Sequence, residues 1–128
     1  MTEKKLKVLC VEDEADIRVI TKLALEAGEF EVETCASGTE AIEKVGSFRP
    51  DLILLDVMMP GMDGPATLKA LREALPEMQV PVIFMTAKAS ASEVIRYKSL
   101  GAVDVIVKPF DPMTLASTVK ATWEDVGE

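Results

Sequence analysis

The chain has 128 residues, of which 48% are hydrophobic, 5% aromatic and 28% charged, and it carries a net charge of −8. This is the composition of one ordinary globular domain. It excludes disordered, collagen-like and disulfide-scaffold chains, and its acidity argues against gripping a phosphate backbone. The chain has no histidine, which removes Ser-His-Asp and Cys-His nucleophiles, His-ligated metals and haem.

The apolar pattern alternates between two periods. Val8–Val11 is a short continuous apolar run, as expected of a strand covered on both faces. Asp13 then opens a helix whose face is Ile17, Ile20, Ala24 and Ala27, and Gly28 stops it. Phe30–Cys35 alternates apolar and polar residues, as an edge strand does. Ser37 and Glu40 form a capping-box pattern for a helix that runs to Val45 and ends at Gly46. Leu52–Leu55 is a second buried strand, stopping at Asp56. Gly64-Pro65 starts a helix that reaches about Leu75. Val80–Met85 is a further buried strand, ending at Thr86. Ser90 and Glu93 repeat the capping pattern for a helix that ends near Leu100-Gly101. Val103–Val107 is the last strand, ending at Lys108. Asp111-Pro112 reads as N-cap and first-turn proline of a helix with Leu115, Val119, Thr122 and Val126 on one face.

Five β-α units with short connections predict an α/β fold, an open doubly wound parallel sheet of five strands. The second strand is the single edge-like one, which favours the flavodoxin-like order 2-1-3-4-5. One domain is expected over residues 1–128, with its core at about 5–126. No apolar stretch reaches the roughly 18 residues of a membrane span. No secretory signal pattern is present. A cytoplasmic location without membrane insertion is therefore expected. Cys10 and Cys35 lack CxxC spacing and read as buried, reduced thiols.

Sites in such sheets form at the carboxyl ends of the strands. There the sequence places Glu12 and Asp13, Asp56, Thr86 and Lys108, each directly after an apolar run. Three carboxylates in one cleft repel each other, and a hard divalent cation such as Mg²⁺ relieves this while binding a phosphate oxygen. A metal, a carboxylate, a hydroxyl and an ammonium together make a phosphoryl-transfer site, with Asp56 as nucleophile. Asp13 is expected both to cap the first helix and to face the metal.

Four segments carry a resemblance: Val11-Glu12-Asp13-Glu14, Asp56-Val57-Met58-Met59-Pro60-Gly61-Met62-Asp63-Gly64, Met85-Thr86-Ala87 and Lys108-Pro109-Phe110. In order and on these elements, they resemble the receiver domain of two-component response regulators, from about Lys5 to Val126. The resemblance implies a switch, not a general enzyme, that catalyses only its own phosphorylation and dephosphorylation. Asp56 would accept phosphate from a histidine kinase or phosphotransfer protein. Asp13, Asp56 and the backbone carbonyl of Met58 would bind Mg²⁺, with Glu12 acting through a water. Lys108 would contact the phosphoryl group, and the Lys108–Pro109 bond would be cis. Thr86 would move towards the phosphoryl group. Its usual aromatic partner is replaced by Val105, which leaves Tyr97 as a substitute aromatic. The family often has Asp or Asn where this chain has Val103.

Other functions fit less well. A haloacid-dehalogenase-type phosphatase wants an acid where Met58 stands. A flavin carrier needs a phosphate loop where Glu12-Asp13-Glu14 is acidic. A pseudo-receiver that only binds partners would lack part of the acidic set or the lysine. No output domain follows the last helix, so the chain reads either as a stand-alone regulator docking a downstream protein or as the receiver of a longer protein. Direct nucleic-acid binding is not expected.

Overall fold

A computed structural model describes residues 5–76 and 79–127. The domain bounds expected from the sequence extend into residues 1–4 and 128, which lie outside those described. The elements are β1 (Lys7–Val11), α1 (Ala15–Ala27), β2 (Glu31–Cys35), α2 (Gly38–Phe48), β3 (Leu52–Asp56), α3 (Gly64–Ala74), β4 (Val82–Thr86), α4 (Ala91–Ser99), β5 (Asp104–Val107) and α5 (Leu115–Gly127). The five strands pair in parallel in the order β2-β1-β3-β4-β5. This is the flavodoxin-like arrangement that the β-α repeat implies. No helix among the described residues is long and apolar enough to cross a membrane.

Strand side chains alternate between two cores, because successive residues point to opposite faces. Leu9, Val11, Ile53, Leu55, Val82 and Phe84 join Ala41, Val45, Leu68, Leu71 and Tyr97 from α2, α3 and α4. Val8, Cys10, Leu52, Leu54, Ile83, Met85 and Ile106 join Leu25, Leu115 and Val119 from α1 and α5. Both cysteines are free and buried. Burial, the largest effect, pushes each thiol up to about 12, so both stay protonated and inert.

Several local expectations are corrected. The buried stripe of α1 is Thr21 and Leu25, while Ile20 is exposed. The face is set by the packing against β2 and α5 and lies one residue from the one that apolar spacing suggests. Asp13 does not cap α1: the N-cap is Glu14, whose side chain makes no capping bond. Gly46 does not end α2, which continues to Phe48 and closes on Arg49 in the left-handed region, φ 53°. Asp111 accepts the Met113 N–H at 2.9 Å in a turn, and α5 begins only at Leu115, with Val126 exposed. β5 is a second edge strand, its Val107 half-exposed. Its mostly apolar sequence conceals this, because the exposed residue is itself a valine.

Two glycines show how differently one residue type is used. A Cβ on Gly64 would lie 2.7 Å from the Asp56 carbonyl oxygen and 2.8 Å from the Val57 Cα. Only glycine lets α3 start against the end of β3, where its N–H donates to the Val57 carbonyl at 2.9 Å. Gly46 lies inside α2, and a Cβ there would meet nothing within 4 Å. Gly64→Ala is therefore expected to cost about 1–3 kcal/mol through overpacking. Gly46→Ala should stabilise by about 0.5–1 kcal/mol. Urea unfolding of the two variants checks both signs. Equal effects would contradict the close approach at Gly64.

Candidate functional site

Each functional side chain at the cleft stands at a strand end or within two residues of one. Glu12 follows β1, and its N–H donates to the Cys35 carbonyl at 3.0 Å, which ties the loop to β2. Asp56 closes β3 opposite Met85, and Thr86 closes β4 opposite Val107. The Val57 N–H reaches the Met85 carbonyl at 3.0 Å and the Lys108 N–H reaches the Thr86 carbonyl at 2.8 Å. These bonds extend the ladder to the rim of the cleft, so the side chains there are held as firmly as strand residues. The Lys108–Pro109 peptide bond is cis.

Glu12, Asp13 and Asp56 each present a carboxylate oxygen, and these oxygens lie within 4.8 Å of one another. Glu12 and Asp56 are buried, at 0% and 2% exposure. The Lys108 ammonium lies 3.0 Å from Glu12 Oε1 and 2.8 Å from Asp56 Oδ1. The contact with Asp56 is an ion pair without hydrogen-bond alignment, so Oδ1 remains a buried oxygen with no hydrogen-bonding partner. The second oxygen of Glu12 accepts the Glu14 N–H at 3.1 Å. Three hard oxygen donors around one buried, unsatisfied carboxylate oxygen fit a divalent cation of the Mg²⁺ type.

Charge is in excess here. Burial pushes the Glu12 carboxyl up to about 6, and the Asp56 charge adds to the rise while the Glu14 N–H and Lys108 oppose it. Burial also raises Asp56, with Lys108 opposing and Asp13 assisting. Burial alone would lower Lys108, but its bonds to Asp56 and Glu12 outweigh that and raise it.

Thr86 is buried, and its Oγ1 accepts the Lys88 N–H at 3.0 Å, which leaves the hydroxyl proton free to donate. Met58 stands in the loop after β3 with its side chain 65% exposed. Val105 lies opposite Phe84 in the sheet and packs on the core shared by Phe84 and Tyr97. Tyr97 is buried, its ring edge-on to Phe84 at 5.5 Å between centroids. Sequence reasoning missed the Lys108–Glu12 pair, the Glu14 N–H and the role of Arg18. Arg18 Nη1 donates to the backbone carbonyls of Glu12 and Asp13 at 2.8 and 3.0 Å. A cation in the first turn of a helix, where the dipole disfavours it, was the available signal.

Comparison with known proteins agrees with this geometry. Residues 8–120 match the family model described as the response regulator receiver domain. The chain is 39% identical over 120 residues to the transcriptional regulatory protein CseB of Streptomyces coelicolor, across 94% of this chain and 50% of that protein. It is 35% identical over 121 residues to the DNA-binding response regulator MtrA of Mycobacterium tuberculosis, across 94% and 52%. The chain thus spans about half the length of the curated relatives it matches. Among solved structures it superposes on the chemotaxis protein CheY4 of Vibrio cholerae with a TM-score of 0.83 and 36% identity, covering 93% of this chain and 99% of that one.

The raised carboxyls give the metal-free protein an unusual pH response. With Glu12 at about 6 folded against 4.5 unfolded, the folded chain binds more protons between those values, so stability falls as pH rises through them. Asp56 acts in the same direction. Lys108 holds its contribution throughout this window, because a raised lysine loses it only at alkaline pH. In EDTA, urea unfolding should show about 1 kcal/mol more stability at pH 5 than at pH 7. Glu12→Gln should remove most of that gain. A wild type less stable at pH 5 would contradict this account of the cluster.

Proposed function

The chain belongs to the response regulator receiver family, and from that premise we propose that it is a phospho-accepting switch with Asp56 as the acceptor. The observation that carries the proposal is the meeting of three carboxylates within 4.8 Å with an ammonium 2.8 Å from one of them. In this reading an Asp56 carboxylate oxygen forms a P–O bond as the P–N bond of a donor phosphohistidine breaks. The donor is a sensor histidine kinase or a phosphotransfer protein. Asp13, Asp56 and the Met58 carbonyl would hold Mg²⁺, with Glu12 acting through a water. When bound, the ion neutralises charge on the phosphoryl oxygens.

The protein's own groups do the rest. Lys108 has three N–H donors and hydrogen-bonds Glu12 while pairing with Asp56 by charge, so it keeps a donor for a phosphoryl oxygen. The free Thr86 proton supplies a second, charge-assisted bond. The Asp56 rim excludes bulk water, because Glu12, Asp56 and Thr86 are all buried.

Acetyl phosphate with Mg²⁺ should add one phosphate, read by intact mass. Asp56→Asn or EDTA should abolish it. Label persisting in Asp56→Asn would place the acceptor elsewhere.

The output runs through α4. Thr86 turns towards the phosphoryl group, and Val105 is too short to fill the space behind it. Tyr97, already seated on Phe84, takes the aromatic's place. The downstream target is a protein surface or an output domain that reads α4, β5 and α5. With beryllofluoride, backbone NMR shifts should be largest in Thr86–Leu100 and smaller around Val105. Larger shifts in α1 or in Glu31–Val45 would refute this assignment of the output face.

A further inference from the structure

Glu12 is oriented by side-chain bonds to Lys108 and the Glu14 N–H, and Asp56 by its strand position and its ion pair with Lys108. Asp13 differs. Among the described residues no N–H donates to its carboxylate, which has Asp56 within hydrogen-bonding reach, and it does not cap α1. Its aim therefore has to come from its backbone. The Glu12 carbonyl belongs to the peptide plane before the Asp13 Cα, and the Asp13 carbonyl belongs to the plane after it. Peptide planes are rigid, so holding both carbonyls fixes the two dihedrals of Asp13 and the direction of its Cβ. A single atom holds both, Arg18 Nη1, at 2.8 and 3.0 Å.

We propose that Arg18 is the positioning residue of the cation site: it clamps the two peptides that flank Asp13 and thereby aims the Asp13 carboxylate at Asp56. This rests on the metal-assisted reading above. The placement of Arg18 supports the role. It sits in the first turn of α1, with its N–H on the Glu14 carbonyl at 3.0 Å. A cation there is disfavoured by the helix dipole. Its guanidinium turns back from the helix to the loop, where charge-assisted bonds to two carbonyls offset that cost.

Charge and position make opposite predictions. A guanidinium close to a cation site repels the cation, so losing Arg18 should tighten Mg²⁺ binding if only its charge mattered. If it aims Asp13, its loss should weaken binding, and removal of an orienting partner typically costs about 10–100-fold in metal affinity.

The experiment is a titration of the full chain with MgCl₂ alone, by calorimetry and by amide NMR, for wild type, Arg18→Met and Arg18→Lys. Thermal melting in EDTA is recorded alongside. Arg18→Met should bind Mg²⁺ at least about tenfold more weakly. Arg18→Lys, which keeps the charge and reaches one carbonyl, should fall between it and wild type. In EDTA the amide shifts of Arg18→Met should move most at Asp13 and Glu14. Unchanged or tighter binding in either folded variant overturns the inference while leaving the phosphoacceptor reading intact. A wild type that binds no Mg²⁺ and takes no phosphate overturns both. If Arg18→Met does not fold, the Arg18→Lys affinity alone decides: a wild-type value refutes the clamp.

Discussion

The Lys108 ammonium lies between Glu12 Oε1 and Asp56 Oδ1, at 3.0 and 2.8 Å, and much of the molecule follows from what that contact has to hold. Two carboxylates buried together would repel each other and lose their hydration, an arrangement that costs several kcal/mol per uncompensated ion. One ammonium does not balance three carboxylates. Burial raises both Glu12 and Asp56, and the neighbouring carboxylate charge adds to the rise in each. Such a cluster needs a rigid mount. β3, buried along its whole length, supplies Asp56, and the nearly fully buried β1 leads directly into Glu12, while the ladder bonds at Glu12, Val57 and Lys108 carry that rigidity one residue beyond the strands.

The alternation of strand side chains then divides the site by role. Asp56 continues the face of Leu52 and Leu54, towards α1 and α5, and Glu12 and Lys108 continue the same face after Cys10 and Ile106. Thr86 continues the opposite face, that of Val82 and Phe84, where α4 packs and Tyr97 sits edge-on. The charged groups and the hydroxyl therefore meet at one rim but belong to different cores. On the proposed reading, a movement of Thr86 would be passed to α4 and not to α1. The Val105 departure fits this division, because the aromatic bulk that Val105 lacks is present on the same face from α4.

Most of the fold was legible because it depends on periods that survive in a single sequence. The continuous runs Val8–Val11 and Leu52–Leu55 mark buried strands, and the edge strand's alternation at Glu31–Cys35 marks the order of the sheet. The strand-end set Glu12, Asp13, Asp56, Thr86 and Lys108 was legible for the same reason: polar residues stop apolar runs. What was not legible depends on packing between elements. The face of α1 is chosen by its neighbours, since Val19, Ile20 and Leu23 are as apolar as the buried Leu25 but point outwards. Gly28 ends α1 at φ −90°, without a left-handed turn. Its glycine is needed because a Cβ would collide with the Ala116 Cβ, and no local pattern reports a contact with α5. The Lys108–Glu12 pair spans 96 residues of sequence, and strand order alone did not decide which of three carboxylates the lysine would choose.

The two ways of holding a carboxylate at this rim have different consequences. Glu12 and Asp56 are held by partners that bond to the carboxylate itself, so each partner also consumes part of its capacity to bind a cation or a phosphoryl group. Asp13 is held through its peptide planes, so no N–H donor occupies its carboxylate oxygens. On the proposed reading, a site that binds and releases a cation benefits from a ligand that is held in part by groups that do not titrate. Lys108 cannot serve that purpose, because protonation of Glu12 or a new bond at Asp56 changes its pairing. Arg18 can, because its acceptors are carbonyls that never titrate. The cluster thus combines an adjustable electrostatic bond on the α1–α5 face of the sheet with a fixed one at the start of α1. The adjustable part is the one that shares its rim with Thr86.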